Sequence, residues 1–145
     1  MISQLTVFLE NEKGRLAAAC RAVAAAGSNM HALYVADTSD FGVARLLCDK
    51  PNATAGALRE AGWRANVTPV LGVRVPNEPG GLAILLEALD ELDVNVEYGY
   101  CFSAEAGYAV DVLKVSGADD ASALEAKLAD AGFAPVDAKD VYIVG

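Results

Sequence analysis

Apolar positions along this chain change period several times, and the changes come in one order that is met twice. Leu5-Thr6-Val7-Phe8-Leu9 combines alternation with β-branching, which predicts a strand. After a polar turn, Arg15 to Ala26 is alanine-rich, with Leu16, Ala19, Cys20 and Val23 at helical spacing and Gly27 as the stop. Met30 to Ala36 and Gly42 to Asp49 read as hairpin strands around the turn Asp37-Thr38-Ser39-Asp40. Ala53 to Ala61 predicts a helix closed by Gly62, and Ala65 to Thr68 a short last strand.

The second pass repeats the order. Leu71 to Val75 reads as a strand, Gly81 to Leu92 as a helix, and Asn95 to Phe102 with Tyr108 to Val115 as a hairpin. Asp119 or Asp120 caps a helix running to Ala131, and Pro135 to Val144 contains the last strand. The letters repeat as well as the periods. Asn11-Glu12-Lys13-Gly14-Arg15-Leu16 returns 66 residues later as Asn77-Glu78-Pro79-Gly80-Gly81-Leu82, and Asn29 returns as Asn95 at the same offset. Ala61-Gly62-Trp63 matches Ala131-Gly132-Phe133 at an offset of 70, so the second copy carries about four extra residues, expected around its second helix.

Each copy is thus βαββαβ, the ferredoxin-like order. That predicts an α+β fold of two such domains, residues 1–69 and 70–145, side by side, with helices on one face of an antiparallel sheet. A domain of about 70 residues has a thin core and is marginal alone. No Gly/Ser-rich or Pro-rich linker parts the copies, so close docking is expected. The fold hosts many activities, so function has to come from particular residues.

The strand-to-helix turn is where chemistry is expected. Gly14 and Gly80 each stand at the start of a helix, whose first N–H groups lack intrahelical partners and carry the positive end of the dipole. A carboxylate suits that place. Asn11 and Asn77, three residues earlier, can both donate and accept, which suits a zwitterion. Helix capping is the plainer use of either asparagine, but its repetition in both copies favours binding. The turns differ: Lys13 and Arg15 make the first cationic, whereas Pro79 and Gly81 make the second stiff and open to close backbone approach.

Asn-x-x-Gly-x-Leu after a first strand, with Asn opening the second strand, resembles the ACT domain, twice over nearly the whole chain. The stretches Ala36 to Gly42 and Asn95-Val96-Glu97-Tyr98 look like the stand-alone tandem-ACT proteins of prokaryotes. The resemblance implies a non-catalytic, regulatory protein that binds a free amino acid where two copies meet. Carried over, Asn11 with Lys13, Gly14, Arg15 and Leu16 would face Asn95 and Val96. Asn77 with Pro79, Gly80, Gly81 and Leu82 would face Asn29 and Met30. Many family members have Asp at the positions of Asn11 and Asn77, and some have a polar residue where this chain has Leu9 and Val75. Relatives are often encoded beside aryl-CoA ligases or indolepyruvate oxidoreductases, which points to an aromatic or branched ligand and a regulated enzyme partner. A protein–protein adaptor with no working ligand site is the alternative.

Composition narrows the partners. With 54% hydrophobic residues the chain is not a disordered segment, and its apolar stretches are too short and too broken by charge to span a membrane. Met1 to Leu5 has no basic, then apolar, leader pattern, so a cytoplasmic protein is expected. A net charge of -9 disfavours nucleic acid, which counts against the alternating Tyr98, Tyr100 and Phe102 as an RNA platform. Cys20, Cys48 and Cys101 are odd in number and not in C-x-x-C spacing, so neither a disulfide framework nor a zinc site is expected, and no cofactor. His31 is the only histidine, no G-x-S-x-G is present and no Lys-Ser/Thr follows Gly80-Gly81, so no catalytic role is assigned. Apolar residues on both strand faces, Val43, Ala44, Leu46 and Leu47 in one run and Tyr108 to Val112 in another, predict a homodimer or larger assembly.

Overall fold

A computed structural model describes residues 1–37 and 41–145. Of the turn expected at Asp37 to Asp40, residues 38–40 lie outside the described residues. The elements run β1 (Ile2–Glu10), α1 (Arg15–Ala25), β2 (Met30–Asp37), β3 (Phe41–Cys48), α2 (Pro51–Glu60), β4 (Arg64–Pro76), α3 (Gly81–Glu91), β5 (Asn95–Ala104), β6 (Tyr108–Ser116) and α4 (Ala121–Asp130), with a single 3₁₀ turn at Ala138–Asp140. The order is βαββαβ for the first copy and, with β4 running on as the first strand of the second, βαββα followed by an isolated bridge; the fold is that of tandem ferredoxin-like domains. The chain divides into two compact units. The first holds Ser3–Thr68 and Ala138–Gly145; the second holds Met1–Ile2 and Pro69–Asp137.

In the first unit the strand order is β2-β3-β1-β4, which leaves β2 at an edge. Alternation on β1 turns Leu5, Val7 and Leu9 to one face. Ala44, Leu46 and Cys48 of β3 join them, and both helices pack there through Ala19, Val23, Ala55 and Leu58. Two helices sharing one set of strand residues must lie on one side of the strands. Each fully buried leucine or valine contributes about 1.5–3 kcal/mol.

The second unit repeats the scheme. The latter part of β4 pairs antiparallel with β6, and β6 with β5. Leu71, Val73 and Val75 meet Leu85 and Leu89 of α3 and Leu124 and Leu128 of α4. The repeat is visible in the hydrogen-bonded register. Leu5 lies opposite Leu46 as Leu71 lies opposite Leu113, so the first strands correspond at an offset of 66 and the third strands at 67. The remaining three extra residues fall in the connection from β6 to α4, just before the helix where they were expected.

Two expectations fail. The strands expected at Ala65–Thr68 and Leu71–Val75 are one strand, β4, unbroken through Pro69. The last strand expected within Pro135–Val144 does not form. Only Pro135 bridges Val73, with Arg74 N–H bonded to Ala134 O and Val136 N–H to Gly72 O. Proline offers no N–H to extend a ladder, and the polar stretch Asp137 to Asp140 then turns the chain into 3₁₀ geometry. Among the described residues, no helix is long and apolar enough to cross a membrane.

Burial also changes the argument for assembly. In the single chain Ala44, Leu46, Leu47, Ala109, Val110 and Val112 are already buried. The large apolar side chains left exposed include Leu33 and Val35, which lie on the edge strand β2.

Candidate functional site

The two turns are built alike. Gly14 and Gly80 take the left-handed backbone conformation at φ 88° and 87°, each just before its helix. Arg15 N–H reaches Glu12 O and Gly81 N–H reaches Glu78 O, closing each turn. Helical bonding starts with Ala18 N–H to Gly14 O and Ile84 N–H to Gly80 O, both at 3.0 Å. The amides of Leu16, Ala17, Leu82 and Ala83 therefore fall in the stretch for which a helix supplies no acceptor. Glycine, having no side chain, leaves that end without a cap from its own position.

The turns differ in what surrounds them. Arg15 Nε lies 2.7 Å from a Glu10 carboxylate oxygen, and its guanidinium stacks 4.5 Å from the centre of the Trp63 ring. This cation is engaged, while Asn11 and Lys13 are exposed on the turn. In the second turn the Asn77 amide donates to Glu105 O at 2.6 Å, tying the turn to the β5–β6 hairpin. Gly81 is buried, and a β-carbon there would collide with the carbonyl oxygen of Pro76. The close backbone approach expected at Gly81 is made by the chain itself. Pro79 is exposed, and so is Leu82, whereas Leu16 packs against the first core.

The second-strand residues also correspond. Met30 and Val96 pack against their cores, and Asn29 and Asn95 are exposed beside them. Asn29 O accepts from Asp49 N–H at 3.0 Å, and the Asn95 amide lies 3.5 Å from Ser116 Oγ. Directly after each, the hairpin register slips, between Met30 and Ala32 and between Val96 and Tyr98. The extra residues of these two bulges are His31 and Glu97. His31 Nε2 lies 2.8 Å from Asp49 Oδ1, and Glu97 is 3.2 Å from Lys114 Nζ. Bulges re-aim side chains and gather near functional sites. Sequence reading missed both, although the 66-residue offset places them at one position.

The cavities beside these residues do not join a turn to a second-strand asparagine. A cavity of about 290 Å³ lined by Phe8, Leu9, Glu10 and Arg64 stops at the strand end before Asn11. Asn29 lines another, of about 530 Å³, with His31, Asp49 and residues 139–144. Asn95 lines one of about 220 Å³ with Asp90, Asp93 and Val94.

Two carboxylates are held away from their ordinary range, in opposite directions. The Ile143 N–H and then His31 hold Asp49 below it. Burial pushes Asp111 on β6 above it. Burial likewise raises the Cys48 and Cys101 thiols, which, with Cys20, are free. Low nucleophilicity follows for both raised thiols. Among the described residues no three His, Cys, Asp or Glu side chains gather as a metal site requires.

Tandem ferredoxin-like domains with repeated Asn-x-x-Gly turns define a class of protein. The family model described as an ACT domain pair matches residues 1–129. The chain belongs to the ACT domain family, as an ACT domain pair. It is similar to the crystal structure of protein BT0572 from Bacteroides thetaiotaomicron, with 31% identity over 97% of this chain and 94% of that one and a TM-score of 0.85. The ligand-free regulatory subunit of aspartate kinase from Thermus thermophilus shares the fold at a TM-score of 0.65, with 16% identity over 90% of each chain. That from Thermus flavus does so at 0.56, with 14% identity over 77% of this chain and 81% of that one. No curated protein matches the sequence.

Proposed function

We propose that this chain is a non-catalytic sensor that binds a free amino acid at its Asn-x-x-Gly turns and reports occupancy to a partner protein. One observation carries the reading: Gly14 and Gly80 set the same uncapped helix start in both copies, within one degree of φ. Exposed N–H groups at a positive helix end suit a carboxylate. The side-chain oxygen of Asn77 or Asn11 suits the ammonium. The asparagines that would complete each site, Asn95 for the first turn and Asn29 for the second, come from the sequence expectation. Family membership, and the regulatory subunits among proteins of this fold, support a regulatory role. An aromatic or branched ligand, a regulated enzyme partner and a cytoplasmic setting belong to the same reading. So does a homodimer, now supported by Leu33 and Val35 exposed on β2.

A thermal-shift screen with the twenty amino acids tests it, because a ligand that binds only the folded state raises the melting temperature. Calorimetric titration of Asn11→Ala, Asn77→Ala and the double variant then locates the site. A lost hydrogen bond to a charged group is worth roughly 1.5–3 kcal/mol, or about ten- to a hundredfold in affinity. No shift with any amino acid supports the adaptor reading instead. Light scattering at micromolar concentration decides the homodimer.

A further inference from the structure

We propose that Ala138–Gly145 is a strap latched by Asp49, able to open while the strands beneath it stay folded. The Asp49 backbone is fixed, since its carbonyl accepts from Ser28 Oγ at 2.7 Å and Thr54 Oγ1 at 2.9 Å, and its N–H bonds Asn29 O. The carboxylate of so rigid a residue is a firm anchor. Its Oδ1 accepts the Ile143 N–H at 2.8 Å, and Ile143 O accepts the Lys50 N–H at 2.6 Å. One strap residue is thus gripped on both sides. The second hold is Tyr142, buried, whose hydroxyl accepts from Ser3 N–H at 2.8 Å.

Val141 is buried beside Tyr142, but the end of the strap is loosely packed. Ile143 and Val144 are 61% and 59% exposed, and the strap walls the cavity of about 530 Å³ on Asn29, His31 and Asp49. Opening does not strand the anchor, because Asp49 Oδ1 keeps His31 Nε2 at 2.8 Å. A released Lys50 N–H, on an exposed residue, is free to bond water. Two buried apolar side chains against an exposed end, backbone bonds on exposed residues and a carboxylate that never loses its last partner describe a segment of lower local stability than the core strands. Asn29 lines the same cavity, which places the strap to respond to a ligand there. That coupling rests on the amino-acid reading; the opening itself does not.

Hydrogen exchange read by mass spectrometry on the whole chain tests the latch without any ligand. Peptides covering 138–145 should exchange at least tenfold faster than those of β1 and β3. Asp49→Ala should speed them about tenfold more and leave β1 and β3 unchanged. Tyr142→Phe, which removes only the Ser3 bond, should speed them less, and it serves if Asp49→Ala does not fold. Exchange of 138–145 in step with β1 in every variant overturns the strap, and indifference to Asp49→Ala overturns the latch. The thermal-shift screen can fail while this experiment succeeds, so the two readings are separable.

Discussion

Gly81 stands against the carbonyl oxygen of Pro76, so close that no side chain fits at that position. The corresponding residue of the first copy, 66 positions earlier, is Arg15, whose side chain has room to pair with Glu10 and stack on Trp63. Two turns with the same glycine geometry thus differ at this position in how tightly the chain folds back. Gly81→Ala should destabilise by about 2–4 kcal/mol, since backbone must move to admit the methyl group. Gly14→Ala meets no atom within 4 Å and should cost only left-handed backbone strain, about 1–2 kcal/mol. Urea denaturation of both variants checks the order; equal losses would mean that the second turn relaxes freely.

Much of this was legible beforehand. The repeat, the four helices and the hairpins follow from period and glycine placement, because each copy's core is made by residues such as Leu5, Val7, Leu71 and Val73 that alternate on β1 and β4. What escaped was set by long-range partners. The pairing of His31 with Asp49 depends on a bulge, and one extra residue leaves no mark in a pattern of period two. Tyr142 and Ile143 read as strand residues, but the polar Asp137 to Asp140 and the missing N–H of Pro135 decided otherwise. Of the candidate site, the turn glycines were readable from sequence. The Asn77 bond to Glu105 was not, because it crosses to another hairpin.

Asp111 should respond to substitution in the favourable direction. It is buried at the position where the first copy has Ala44, and no side-chain hydrogen bond or ion pair reaches it among the described residues. Burial raises its folded-state pKa, so its charged form costs stability once pH rises above the ordinary aspartate value. Asp111→Asn should therefore stabilise by about 0.5–2 kcal/mol at pH 7, a few degrees in Tm. The gain should shrink toward zero as the pH falls below about 4, where an ordinary aspartate is already protonated. Calorimetric scans at pH 7 and pH 3.5 check both the sign and the shrinkage.

Asp49 should show the opposite slope. Its folded-state pKa is lowered, first by the Ile143 N–H and then by His31. Its contribution is present above the ordinary aspartate value near 4 and is lost as the pH falls through the folded value. The charged and titratable groups around it are His31 on β2, Lys50 beside it, the Cys48 thiol, and Lys139 and Asp140 of the facing segment. Asp49→Asn keeps an acceptor for Ile143 but removes the charge. It should lower Tm at pH 7 by more than it does at pH 3. A Tm difference that is constant between these pH values would show that Asp49 acts by shape alone.

Asn77 offers the sharpest separation of structure from binding. Its amide group donates to Glu105 O at 2.6 Å, so part of any loss in Asn77→Ala comes from the hairpin and not from a ligand. Asn77→Asp divides the two effects. Aspartate cannot donate, and its charge repels the Glu105 carbonyl, so the unliganded protein should lose about 0.5–1.5 kcal/mol. Toward an amino acid the same change acts the other way. A carboxylate accepts from an ammonium more strongly than an amide oxygen does, by about 1–1.5 kcal/mol, or roughly tenfold in affinity. Aspartate at this position is also what the family pattern favours. The expected outcome is a lower Tm without ligand and a larger ligand-induced rise in Tm. Titration calorimetry of wild type and Asn77→Asp with the amino acid selected by the screen measures the affinity directly. A variant that is less stable and binds no tighter would assign Asn77 to the hairpin alone and leave the first turn, with Asn11 and Gly14, as the ligand site to test.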